Sequence, residues 1–252
     1  DAGANPLKSD ASTDAIERVF GKIRATATHV AVEMGNQFIR PGTDGVNLTQ
    51  LKACIDKRLG NVEGSARRCV SFLDTSDTVE LTCWVVVTDT SDTSDEEAGA
   101  ATWSSLAVER VDIWDPSDCE GGVIDAHLER YMPLFPLMSR AAIDARARPW
   151  AQRLVKVIQQ RRHPWSRKVL AFTGRELERD AAWAIFLERV AARTIALPAL
   201  DIIRKEAAGL KAVRRPDGRV TIVDKNRKRQ HADVLDAIAQ QLEVRLERFL
   251  GV

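Results

Sequence analysis

The sequence predicts an α/β protein: an antiparallel three-strand meander followed by parallel strands, flanked by helices. Three observations carry this. Short runs rich in β-branched residues, joined by turn residues, fill positions 69–114. Apolar residues at helical spacing then alternate with short apolar strands, as crossover connections require. And 252 residues at 44% hydrophobic and 29% charged are enough to bury a sizeable core.

The elements follow in order. Residues 1–12 are small and polar. Ile16, Val19, Phe20 and Ile23 predict a helix from Asp14 to about Val32, capped by Ser12 or Thr13. Pro41-Gly42-Thr43-Asp44-Gly45 is a turn cluster. Leu48, Leu51, Ile55 and Leu59 predict a second short helix, ended by Gly60. Cys69–Leu73 and Leu81–Thr88 read as strands around the turn Asp74-Thr75-Ser76-Asp77. Asp89–Gly99 is an acidic, polar loop, and Leu106–Trp114 closes the meander. Val123–Tyr131 looks helical, and Met138–Ile143 is an apolar stretch ending at Asp144. Pro149–Gln160 is a helix, with Pro149 suited to its first position. Lys168–Phe172 is a strand, Arg179–Ala192 a helix, and Leu200–Leu210 a helix ending near Gly209. Val213–Val223 is a hairpin turning at Arg215-Pro216-Asp217-Gly218. His231–Phe249 is the closing helix. The ribonuclease-H-like fold has this order, which several other folds share.

Composition excludes several classes. Runs such as Cys83–Val87 and Ile195–Leu200 fall far short of the roughly 20 apolar residues of a membrane-spanning helix, so no membrane is expected. The chain begins at Asp1 and shows no charged-then-apolar leader, which reads either as a fragment of a longer protein or as a sequence given without its first residues. Cys54, Cys69, Cys83 and Cys119 lack zinc-knuckle spacing and read as free, partly buried thiols of a reducing cytoplasm. There is no phosphate loop with Lys and Ser/Thr, no Gly-x-Ser-x-Gly, and no His-Glu-x-x-His among His29, His127, His163 and His231. The net charge of +1 hides a polarity. Residues 1–139 hold 12 Lys and Arg against 23 Asp and Glu, a balance of −11; residues 140–252 hold 25 against 13, a balance of +12. One face of the second half is suited to a polyanion, although solvated helix faces would leave the same trace.

The chemistry-bearing residues are carboxylates at element ends. Asp74 follows the apolar run 69–73, Asp144 follows Ala141-Ala142-Ile143, and Asp233 and Asp236 open the last helix. Carboxylates at strand ends can converge at one edge of a sheet. Such a group needs a hard cation such as Mg²⁺. Two such ions clamp the attacking and leaving oxygens of a phosphodiester. Each residue also has a plain reading: Asp74 as a turn residue, Asp144 as a cap of the helix at Pro149, Asp233 as a first-turn carboxylate favoured by the helix dipole. Asp77 and Glu80 are near enough to Asp74 to replace it.

Three blocks resemble the nuclease domain of the large terminase subunit of tailed bacteriophages, over about residues 66–240. The first is Phe72-Leu73-Asp74-Thr75-Ser76 with its return strand Leu81–Thr88. The second is Arg140-Ala141-Ala142-Ile143-Asp144, then a helix, then Val169–Phe172. The third runs from Ala199-Leu200 through Glu206-Ala207-Ala208-Gly209-Leu210 and Gly218–Ile222 to Arg229-Gln230-His231-Ala232-Asp233-Val234-Leu235-Asp236-Ala237. It is similar to the family's closing His-Asp-Asp-x-x-Asp-Ala pattern, except that Ala232 stands where the first Asp is usual.

The resemblance implies a ribonuclease-H-like nuclease domain at residues 66–252, preceded by a helical connector or domain remnant at 1–65. It implies that Asp74, Asp144 and Asp233, with Asp236 in reserve, hold Mg²⁺ or Mn²⁺, two ions in all, for hydrolysis of double-stranded DNA during viral genome packaging. It further implies an ATPase motor in the full-length chain, a small terminase subunit and a portal as partners, in the cytoplasm of an infected bacterium. Basic residues beside the acidic blocks are the candidate phosphate contacts: Lys225, Arg227, Lys228 and Arg229 before the third block, Arg146 and Arg148 after the second, and further on Arg153, Arg161, Arg162, Arg167 and Lys168. His231 would orient a ligand or finish the helix end, and Trp150 and Trp165 would face DNA or fill the core. Two rival functions stay open. One is another ribonuclease-H-like nuclease, transposase or resolvase; the other is a DNA-binding assembly module with structural carboxylates.

Overall fold

The computed structural model describes residues 45–75, 81–90, 105–116, 121–145, 149–172, 176–214, 220–224 and 232–246. Seven strands form one sheet: β1 (Ile55–Asp56), β2 (Cys69–Asp74), β3 (Thr82–Asp89), β4 (Leu106–Trp114), β5 (Met138–Asp144), β6 (Val169–Phe172) and β7 (Ile195–Pro198). Their spatial order is β1-β7-β4-β3-β2-β5-β6. The pairs β2/β3 and β3/β4 are antiparallel, and all other neighbours are parallel. This is the expected mixed sheet, in which β3 alone runs against the rest. The helices are α1 (Leu48–Ala53), α2 (Gly121–Tyr131), α3 (Pro149–Gln160), α4 (Glu176–Ala192), α5 (Asp201–Gly209) and α6 (Asp233–Leu246). The predicted hairpin is present as β8 (Leu210–Arg214) and β9 (Val220–Asp224), apart from the main sheet.

Side-chain alternation divides the core in two. Val70 and Phe72 of β2, Cys83, Val85 and Val87 of β3, and Ala142 of β5 face α4, α5 and α6. Cys69, Leu73, Trp84, Val86, Ala141 and Ile143 face the opposite way, onto α2 and α3. A strand's period of two sends successive residues to opposite faces, so runs buried on both faces read as continuous apolar text. The strand β3 is buried along its whole length, as a central strand covered by helices on both sides must be. On the first face, α6 is pinned to the sheet by Gln241, whose Nε2 donates to the carbonyls of Val70 and, at 3.2 Å, Val85.

One predicted helix is shorter than its pattern. Leu48–Leu59 reads as helical, but α1 stops at Ala53. Ile55 and Asp56 instead pair with Leu197 and Pro198 at the sheet edge. Backbone pairing there outweighs a weak apolar periodicity. Further on, Gly60 and Asn61 bridge to Arg110. Residues before position 66 therefore contribute directly to the sheet. The predicted helix 14–32 and the acidic loop beyond Thr90 lie outside the described residues.

The end of α4 shows how a local motif is made. The Thr194 N–H donates to Arg189 O at 2.9 Å and the Arg193 N–H to Val190 O at 3.2 Å. Arg193 itself has φ 56°, the left-handed conformation that glycine usually supplies at this position. Cys54, Cys69 and Cys83 are free and buried. No described helix is long and apolar enough to cross a membrane.

Candidate functional site

Parallel pairing brings the first two acidic positions together. β2 and β5 pair with Leu73 opposite Ile143, so the next residues, Asp74 and Asp144, end adjacent strands side by side. Both have the parity of Phe72 and Ala142 and so lie on the face covered by α6. The Thr75 hydroxyl donates to the Asp144 carbonyl at 2.7 Å, tying the two strand ends. Asp144 is only 7% exposed.

Asp233 arrives from the opposite direction, as the first residue of α6. Its Oδ2 accepts the Leu81 N–H at 2.8 Å, just before β3 begins. Its carbonyl accepts the Cys83 thiol at 3.4 Å, and Cys83 is the partner of Asp74 in the β2/β3 ladder. Asp74 and Asp144 thus end adjacent strands, and Asp233 lies beside the start of β3, at the same end of the sheet. The Cys83 thiol records the resulting field. Its pKa is pushed well above the ordinary value, first by burial and then by the negative charges of Asp74, Glu206, Asp233 and Asp236.

Asp236 has a different setting. Its Oδ1 accepts Trp183 Nε1 at 2.7 Å and Arg179 Nε at 2.9 Å, both from α4. It joins α4 to α6. Of the two candidates on the last helix, Asp233 bonds to the start of β3 beside Asp74, whereas Asp236 bonds to α4.

The donor set is suited to a hard divalent cation, being carboxylate oxygen at a partly enclosed sheet edge. Among the described residues, no group of three His, Cys, Asp or Glu side chains is placed so that it could hold a metal ion. The carboxylates are anchored on separate elements, Asp74 and Asp144 on β2 and β5 and Asp233 on α6.

The basic residues divide. Arg146, Arg148, Lys225, Arg227, Lys228, Arg229 and His231 lie outside the described residues. Arg161, expected near DNA, instead clamps Asp125 at 2.5 Å and Glu129 at 2.5 Å, joining the end of α3 to α2. Lys168 Nζ donates to Pro136 O at 3.1 Å. Arg162 and Arg167 are exposed. Trp165 is buried and stacks on His163, and Trp150 packs on the same core, so both serve the fold.

Sequence reasoning missed Glu206. It lies in α5, is only 6% exposed, and accepts the N–H groups of Val234 at 3.2 Å and Leu235 at 2.8 Å. The available signal was negative: Ala232, just before α6, offers no side-chain oxygen to cap the helix. An open cleft of about 630 Å³ lies elsewhere, lined by Cys54, Asp56, Thr90, Ser105, Arg193 and Thr194. It sits where β3 ends and β4 and β7 begin, at the opposite end of the strands from the carboxylates.

In sequence, no family model and no curated protein matches this chain. In structure, it is similar to the large terminase nuclease from thermophilic phage G20c. The identity is 10%, with 77% of this chain and 95% of that chain covered at a TM-score of 0.57. The same nuclease with bound magnesium matches with a TM-score of 0.54, and with bound cobalt with 0.52. The HK97 bacteriophage large terminase matches at 12% identity and a TM-score of 0.58, covering 80% of this chain and 43% of that one. A large terminase from another thermophilic bacteriophage, in complex with ADP, matches at 10% identity and a TM-score of 0.56. There the coverage is 91% of this chain and 51% of that one. The chain thus spans nearly all of an isolated nuclease domain and about half of a whole large terminase. It has the ribonuclease-H-like fold of phage large-terminase nuclease domains.

Proposed function

We propose that this chain is the DNA-cutting domain of a phage large terminase, a divalent-metal-dependent endodeoxyribonuclease that cuts concatemeric genomes during packaging. The observation that supports this reading is the placement of Asp74 and Asp144 at the ends of adjacent strands, with Asp233 beside the start of β3 at the same end of the sheet. The fold supports it, and so do magnesium and cobalt in the G20c nuclease.

Asp74, Asp144 and Asp233 would hold Mg²⁺ or Mn²⁺, with two ions expected. When bound, such ions supply Lewis-acid stabilisation of the scissile phosphate and a nucleophile at neutral pH. The chain's own contribution is placement. β2 and β5 present two carboxylates from rigid neighbouring strands, and α6 brings the third across the top of β3. Asp236 is left to the contact between α4 and α6. Arg146, Arg148, Lys225, Arg227, Lys228 and Arg229 would grip the DNA backbone through sequence-independent phosphate contacts.

In this reading residues 66–252 form the nuclease domain. The preceding 65 residues form a connector, of which Ile55, Asp56, Gly60 and Asn61 pair with the sheet. An ATPase motor would belong to the full-length chain, as the half-length coverage of whole large terminases suggests. A small terminase subunit and a portal would be its further partners, in the cytoplasm of the infected host.

The test is cleavage of supercoiled plasmid with Mn²⁺, Mg²⁺ or EDTA, comparing the unmutated chain with Asp144→Ala. Metal-dependent nicking and linearisation are expected, with a loss of at least ~100-fold in the variant, since even indirect partners of metal ligands cost 10–100-fold. DNA binding without any metal-dependent cleavage would replace this reading with that of a binding module.

A further inference from the structure

The last helix begins without a cap of its own. Four N–H groups at the start of any helix lack intrahelical acceptors. The preceding residue usually supplies a side-chain oxygen for the second or third of them. Here that residue is Ala232, which has none. Val234 and Leu235 are fully buried, so water is not at hand to replace it. Glu206, from α5, fills the gap: Oε1 accepts the Val234 N–H and Oε2 the Leu235 N–H. A carboxylate is the strongest acceptor for this place, because its bonds are charge-assisted and the helix dipole favours a negative charge there.

We propose that Glu206 is the positioning residue for Asp233, holding the first turn of α6 so that the Asp233 carboxylate stays at the sheet edge beside Asp74. The proposal rests on the nuclease reading above and adds a residue to it. Asp233 is the first residue of the turn that Glu206 secures, immediately before the two capped amides. The rest of α6 is held independently by its apolar face and by Gln241. Loss of the Glu206 carboxylate therefore frays the first turn while the body of the helix stays docked. The consequence falls on Asp233 before it falls on the fold.

The experiment compares the unmutated chain with Glu206→Ala, Glu206→Gln, and the double variant Glu206→Ala with Ala232→Ser. Two quantities are read: hydrogen exchange at the Val234 and Leu235 amides, and Mn²⁺ affinity by calorimetric titration. Plasmid cleavage is followed alongside. Glu206→Ala is expected to speed exchange at both amides about tenfold, the scale of a lost helix cap. It should weaken Mn²⁺ binding by about tenfold or more, with amides in β3 unchanged. Glu206→Gln keeps a neutral acceptor and should fall between the two. Ala232→Ser restores an oxygen at the position before the helix, and in the Glu206→Ala background should recover both readings. Unchanged exchange in Glu206→Ala would overturn the cap. Faster exchange with Mn²⁺ affinity and cleavage intact would overturn the positioning role and leave the nuclease reading standing. An unmutated chain that neither binds Mn²⁺ nor cleaves DNA would overturn the nuclease reading and the positioning role with it.

Discussion

On one face of the sheet, Asp112 lies between the Arg110 guanidinium and the His127 ring. Its oxygens accept Arg110 Nε at 2.5 Å and Nη2 at 2.9 Å. His127 Nε2 stands 3.1 Å from Oδ2, off the line of a hydrogen bond. The Arg110 guanidinium also covers the Tyr131 ring at 3.6 Å, and Trp84, Trp114 and Tyr131 surround His127. On the other face, Asp74 and Asp233 share the Cys83 neighbourhood with Glu206 and Asp236, and their combined field raises the thiol pKa. Both regions hold carboxylates near strand ends. The first meets its cation, Arg110, within the chain and forms a fixed strut. The second gathers Asp74, Glu206, Asp233 and Asp236 from three elements around one buried thiol, with Arg179 paired to Asp236.

The largest expected difference lies inside the second region. Asp233→Asn is expected to lower metal-dependent plasmid cleavage at least ~100-fold, whereas Asp236→Asn should keep it within about threefold. The Asp236 change should instead cost about 1 kcal/mol of stability in urea, by weakening its bonds to Arg179 and Trp183. Equal loss of cleavage in both variants would remove the distinction between them.

In the first region the order of effects should reverse. Asp112→Ala leaves the buried Arg110 without its carboxylate and should cost about 3 kcal/mol, at the low end for a buried pair because Asp112 keeps some solvent contact. Cleavage per folded molecule should be unchanged. Denaturation curves and a cleavage assay on the same preparation separate the two readouts.

A third effect is set by pH. Burial, with Glu109 adding to it, pushes the Cys69 thiol up to about 12 in the folded chain, from an ordinary value of 9.0. The folded form keeps its proton where the unfolded form has lost it. Stability from this group is therefore complete below about pH 9 and falls as pH rises toward about 12, by up to ~1.4 kcal/mol per pH unit. Cys69→Ala should flatten the alkaline limb of a stability profile. An unaltered limb would place the sensitivity elsewhere.

The smallest expected effect lies at the far end of the strands. Arg193→Gly relieves a left-handed backbone at the close of α4. Thermal unfolding should show a gain of about 0.5–1 kcal/mol, the left-handed penalty less the extra freedom glycine gives the unfolded chain. Cleavage should not change.

Much of the fold was legible because its signals are local. The runs 69–73, 81–88 and 106–114 alternate or are rich in β-branched residues, and each became a strand within one or two residues of its predicted ends. Pro149 opens α3 as its fixed φ allows. Asp74 and Asp144 were legible as strand-end carboxylates, since an apolar run that stops at an Asp marks its own boundary. Ile55 misled, because its spacing from Leu48 and Leu51 is helical and its partner Leu197 lies far along the chain.

What the sequence determined by itself was the set of elements and the acidic residues at their ends, because period, turn chemistry and strand propensity act between near neighbours. Only the tertiary structure decided which carboxylates belong together. Asp233 and Asp236 are three residues apart on one helix and look equivalent in the sequence. Leu81 and Cys83 claim the first, while Arg179 and Trp183 claim the second. Glu206 in a short helix reads as an ordinary helix former until packing buries it and turns it toward the bare end of α6. Those assignments depend on contacts across more than 25 residues of chain, which exist only once the sheet has ordered and the helices have closed over it.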